Sequence, residues 1–212
     1  MSKKEISIIL CSDIVKQGYL PSYFNFRLER NGFDIQYLAY PSLKKDVSID
    51  QIAQMNLDWA RDIRNRSTKS IFIGHGLGGR IGLAMLKYDP VAFDAIVTIA
   101  TPYMASPTIV SLGDIGAFQG IVKAVSPLVL ELRKDANLPE KLVIPSLSLA
   151  AQFDRILAPH ATGKIIDDHT IIPGCGHSSI LTKERTYLEV LGWINYAVCG
   201  AVRPPRYEDN KL

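Results

Sequence analysis

The stretch Ser70-Ile71-Phe72-Ile73-Gly74-His75-Gly76-Leu77-Gly78-Gly79-Arg80 decides how this chain is read. Residues 70–73, with Ile71-Phe72-Ile73 apolar, suit a buried strand, residues 74–79 form a glycine-rich turn, and residues 77–88 have helical character up to Pro90. Gly74, Gly76 and Gly79 spell G-x-G-x-x-G, which would set a pyrophosphate on the helix N-terminus. That fingerprint belongs on the first strand of its unit and needs an acid at the carboxyl end of the next strand. Here two strand–helix units come before it, and Asp94 precedes the next strand instead of following it. A phosphate-binding loop needs Lys and then Ser or Thr, where this chain has Arg80 and Ile81. The third pattern is G-x-S-x-G, a tight strand-to-helix turn that raises a strained nucleophile. Gly74 and Gly78 fill its glycine positions, and its serine position holds Gly76.

Outward from the turn, strands alternate with helices. Strands are expected at 6–10, 35–40, 70–73, 95–100, 141–150 and 170–172, the fifth weakened by Pro145. Helices are expected at 19–30, 49–64, 77–88 and 181–199. Ile52, Met55, Leu57, Trp59 and Ile63 would make the apolar side of the second helix, and Leu188, Leu191, Ile194 and Val198 that of the last. The alternation predicts an α/β fold: a mostly parallel central sheet covered by helices on both faces. Ligands of such sheets bind beyond the carboxyl ends of the strands. One domain over residues 1–201 is expected, with a helical lid or cap insertion at 103–140 and a loosely held tail at 202–212.

Composition narrows the function classes. The chain has 212 residues, 47% of them hydrophobic and 21% charged, which is enough to bury a core unaided. A net charge of +3 gives no electrostatic footprint for nucleic acid. No apolar run is long enough to span a bilayer. Cys11, Cys175 and Cys199 are odd in number and lack metal-ligand spacing, so neither a disulfide framework nor a metal site is expected. The short apolar run 6–11 breaks at Ser12-Asp13 and reads as a strand, not a signal peptide; a cytoplasmic protein without a cofactor is expected.

The rest of the chain favours the third pattern. Asp154 follows the fifth expected strand, and His177 follows the sixth within Pro173-Gly174-Cys175-Gly176-His177-Ser178. Turn, acid and histidine come in the chain order of a nucleophile–acid–base triad. The chain resembles the α/β-hydrolase superfamily, and within it the small lipase and esterase-like members. Gly-His-Gly-Leu-Gly-Gly at 74–79 resembles their Gly-His-Ser-Leu-Gly-Gly elbow, and Thr98-Ile99-Ala100-Thr101-Pro102 resembles the segment after their next strand. Two positions depart from the pattern. Gly76 stands at the nucleophile, and the first strand ends in Cys11-Ser12-Asp13 where many members have His-Gly.

The resemblance implies hydrolysis of a carboxylic ester, with His177 as base and Asp154 orienting it. Leu77 N–H, with a backbone N–H near Ser12 or Asp13, would hold the oxyanion. The expected partner is a small ester or acyl ligand. Without the serine oxygen the chain is expected to be inactive or strongly impaired. Two explanations fit. A natural pseudoenzyme would bind a ligand or protein in the old pocket, as the altered Cys11-Ser12 segment favours. Alternatively a serine was replaced in an active hydrolase, as the intact Asp154 and His177 favour. Ser12, beside the turn, is a candidate displaced nucleophile, and Cys175, close to His177, a weaker one. His75 is expected to pack beneath the turn, and His160 and His169 to lie on the surface. Arg61–Lys69 reads as a solvated helix end.

Overall fold

A computed structural model of the chain describes residues 5–12, 22–38, 47–103, 138–154 and 165–202. The expected cap at 103–140 falls almost wholly outside them, as do His160, Asp13 and nearly all of the tail at 202–212. The described elements are β1 (Ile6–Cys11), α1 (Ser22–Arg30), β2 (Asp34–Tyr37), α2 (Ile49–Arg66), β3 (Lys69–His75), α3 (Leu77–Tyr88), β4 (Ala95–Ile99), β5 (Ser146–Ala151), β6 (Asp168–Ile172) and α4 (Glu184–Ala197). The strands form one sheet in the order β2-β1-β3-β4-β5-β6. Every pairing is parallel.

Strand alternation divides the interior into two cores. Ile9, Cys11, Phe72 and Ile96 face α2 and α3, whereas Ile8, Leu10, Ile71, Ile73, Val97 and Ile99 face α1 and α4. Both faces are therefore apolar along each central strand, which is why β1, β3 and β4 read as continuous apolar runs. Ser48 starts α2 with a capping box: its hydroxyl accepts the Gln51 N–H, and the Gln51 side chain accepts the Ser48 N–H. The basic end of α2 is exposed, as expected, and partly neutralised. Arg61 binds Asp89 at 2.7 Å, and Arg64 and Lys69 approach Asp94.

Several expected boundaries are corrected. The fifth strand starts at Ser146 instead of 141, because Pro145 has no N–H to donate; its carbonyl still accepts from Ile96. The strand expected at 170–172 begins two residues earlier, at Asp168. The helix expected at 181–199 is a 3₁₀ turn, Ser179–Thr182, then an extended Lys183, then α4. Its inward face carries Tyr187, Val190, Trp193 and Ile194, with Leu188 outside it at 44% exposure. On α2 the alanines Ala53 and Ala60 complete the buried stripe, and Met55 points to solvent.

Candidate active site

The turn between β3 and α3 is a single residue. Gly76 has φ 55° and ψ −124°, a backbone region costly for any residue with a Cβ. Its N–H donates to Ile99 O at 2.9 Å, tying the turn to β4. The neighbouring glycines serve close approach. A Cβ on Gly74 would lie 2.4 Å from Gly79 Cα, and one on Gly78 would lie 2.2 Å from Cys11 O. The first turn of α3 thus rests directly on its own strand and on the end of β1. Ser12, buried beside it, is placed at the turn as the sequence predicts. A Cβ on Gly79 would meet the Thr101 side chain at 2.0 Å, so this glycine too serves close packing. Asp94 binds the Ser70 N–H at the amino end of the sheet, away from the turn.

The acid and the histidine come from adjacent strands whose exits are laced together. Ala151 and Ile172 are register partners at the ends of β5 and β6. Beyond them Gln152 N–H donates to Ile172 O at 3.0 Å and Phe153 N–H to Cys175 O at 2.8 Å. Asp154 Oδ2 then meets His177 Nδ1 at 2.8 Å. The carboxylate side chain is 2% exposed and the imidazole 10%. Against a carboxylate that only accepts, His177 presents the Nδ1 side of its ring, which leaves Nε2 on the far edge.

His177 also reaches β3. Its ring centroid lies 4.9 Å from that of His75, the residue before Gly76. Three strand spacings separate β3 from β6, about 14 Å in a flat sheet. Five residues beyond Ile172 can span about 17 Å. The 173–177 loop, which turns at Pro173-Gly174, is tied to the exit of β5 at Cys175 and meets His75 from there. His75 is buried, as expected, but it is more than packing: its Nε2 lies 2.9 Å from His177 O and can donate to it. No sequence pattern connects these two residues, since the bond is to main chain across the sheet.

The remaining candidates separate from this cluster. Cys175 is buried, its thiol directed to Ile172 O at 3.2 Å, and burial pushes its pKa up, against any thiolate role. His169 is half-buried in β6 instead of lying on the surface, and burial lowers its pKa. A cavity of about 510 Å³ bounded by Leu142, Ile144, Asp167, Asp168, Trp193 and Tyr196 opens at the amino ends of β5 and β6, the end of the sheet away from His177. Ala100, after β4, takes φ 46°, a strained conformation at the same sheet end as the turn. Among the described residues no helix is long and apolar enough to cross a membrane, and no group of His, Cys, Asp and Glu could hold a metal.

No family model and no curated protein matches the sequence. Solved structures do match its fold. A membrane phospholipase A, a bacterial virulence factor, superposes with a TM-score of 0.68 at 14% identity over 92% of this chain and 80% of that one. A carboxylesterase structure from the thaumarchaeon Nitrososphaera gargenis gives 0.68 at 12% identity, covering 94% and 93%. An α/β-hydrolase enzyme from the sediment metagenome of the Mar Chica lagoon, Morocco, gives 0.63 at 16% identity, covering 90% and 91%. The fold of this chain is the α/β-hydrolase fold.

Proposed function

We propose that the chain is a carboxylic-ester hydrolase scaffold of the lipase and esterase kind whose site retains its base and acid but not its serine. His177 is the base, Asp154 orients it, Gly76 stands at the nucleophile position, and Leu77 with Ser12 and Asp13 forms the oxyanion side. The observation that carries this is the 2.8 Å Asp154–His177 bond, formed beside the positive-φ turn at the carboxyl ends of the strands. Neighbours in fold are described as carboxylesterases, a phospholipase A and a type II thioesterase. With no hydroxyl at 76 the two-step acyl-enzyme route through that position is closed. Loss of one triad member still leaves about 10³–10⁴-fold over water elsewhere.

A second reading is a binding module that holds an acyl ligand or a protein without turning it over, favoured by Gly76 itself. Gly76→Ser separates the two. On a turn that already has the required backbone, serine should raise hydrolysis of short p-nitrophenyl esters by about 10²-fold or more. Adding His177→Ala should abolish the gain. A folded but inert Gly76→Ser protein would leave the binding module standing.

A further inference from the structure

We propose that the cavity at the amino ends of β5 and β6 binds a small organic cation, a guanidinium or primary ammonium group carried on an apolar body. It lies at the end of the sheet away from His177, so the proposal does not depend on the hydrolase reading. Asp167 and Asp168 stand side by side on its wall. Ser146, wholly buried at the start of β5, fixes the first of them. Its hydroxyl donates to Asp167 Oδ2 at 3.0 Å, and its oxygen accepts the Asp167 N–H at 2.9 Å. The Trp193 indole N–H donates to Asp168 Oδ2 at 3.1 Å. Both donors are uncharged, so they aim the carboxylates without neutralising them. Neighbouring carboxylates repel, and a cation held between them relieves that repulsion.

The helical wall selects the same charge by other means. Trp193 and Tyr196 are three residues apart on α4, so they line the cavity as neighbours. Aromatic faces attract cations, guanidinium above all. The cavity also reaches Ala197, the last residue of α4, where a helix carries its negative pole. The last turn of α4 has no basic side chain to offset that pole. Leu142 and Ile144, both buried, give the opposite wall an apolar character suited to an alkyl or aryl body. The volume of about 510 Å³ is that of a small-molecule site, about 300–1,000 Å³. A bare divalent metal is the poorer fit, because it seeks about six or more oxygens and would leave the aromatic and apolar walls unused. An anion would meet two carboxylates.

The test titrates the full-length chain with N-butylguanidinium chloride and with N-butylurea, an uncharged molecule of nearly the same shape. Trp193 emission is followed in a Trp59→Phe protein, and the melting temperature in the unaltered chain. Expected are a saturable change in emission with the guanidinium, a melting temperature that rises with its concentration by mass action, and neither with the urea. Asp167→Asn and Asp168→Asn keep an acceptor oxygen for Ser146 and Trp193 while removing the charge. Each should weaken binding about ten-fold, and raising the salt to about 0.5 M should weaken it further. His177→Ala should leave the affinity unchanged. Four results would overturn the proposal. One is no saturable response up to about 50 mM guanidinium. Another is an equal response to the two probes, which would reduce the cavity to an apolar cleft. A third is an affinity unmoved in the folded Asp167→Asn/Asp168→Asn protein. The last is binding lost in His177→Ala, which would put the probe at the strand-end site instead.

Discussion

The Nε2 of His75 stands 2.9 Å from the main-chain oxygen of His177, although the residues are 102 positions apart. His75 is fixed by β3, whereas His177 lies in a loop tied to the exit of β5 at Cys175. The bond therefore sets where the loop stops. His75→Leu should leave a part-buried carbonyl without this donor and lower stability by about 1 kcal/mol in urea unfolding. His75→Gln, which can offer an N–H from a similar position, should recover part of that loss. Equal stability of the two variants would show that the ring matters here only as packing.

Gly78→Ala should be among the most damaging single-methyl changes in the chain. Its Cβ would lie 2.2 Å from Cys11 O, and the obstruction is backbone, which cannot swing aside. Overpacking of this kind costs about 1–3 kcal/mol, and the midpoint of urea unfolding reads it. A midpoint unchanged from the parent would mean that α3 slides readily over β1.

Nucleotide binding has a thermal readout. If 74–79 held a dinucleotide, millimolar NAD or NADP would raise the melting temperature by mass action. No shift is expected, because the acid such a fingerprint needs is missing from the carboxyl end of β4: Asp94 lies at the amino end, bound to the Ser70 N–H. A saturable rise would restore the pyrophosphate reading of the turn.

Acid sensitivity should trace in part to His169. Burial lowers its pKa from the ordinary 6.5, so the folded chain binds its proton less readily than the unfolded chain. The stability this contributes is complete above about pH 6.5 and is lost as the pH falls through the depressed folded value. His169→Gln should flatten that part of the pH–stability curve, measured by urea unfolding between pH 7.5 and 5.5. An unaltered slope would place the acid sensitivity in other groups.

What could be read from sequence was whatever is written locally. The strand-to-helix turn is carried by contiguous glycines, and helix 77–88 was bounded correctly because the turn opens it and Pro90 closes it. Asp154 and His177 were legible because each follows a strand, and topology alone puts the ends of adjacent parallel strands together. Features set by distant partners were not legible. The Asp168 start of β6 depends on Leu147 across the ladder. The inward face of α4 is led by Tyr187 and Trp193, amphipathic residues that an aliphatic pattern passes over. His75 reads as a packing residue because its acceptor is a carbonyl, and carbonyls leave no trace in a sequence.

The positive φ at Gly76 has an evolutionary consequence. A serine there would hold a strained backbone, a cost of order 1–3 kcal/mol that glycine relieves. Two of the glycine codons, GGC and GGT, become serine codons by one base change. A lineage can therefore cross between a more stable glycine form and a strained serine form in a single mutational step, with the turn geometry inherited intact each time. On the hydrolase reading proposed above, selection on stability and selection on turnover act in opposite directions on that one codon.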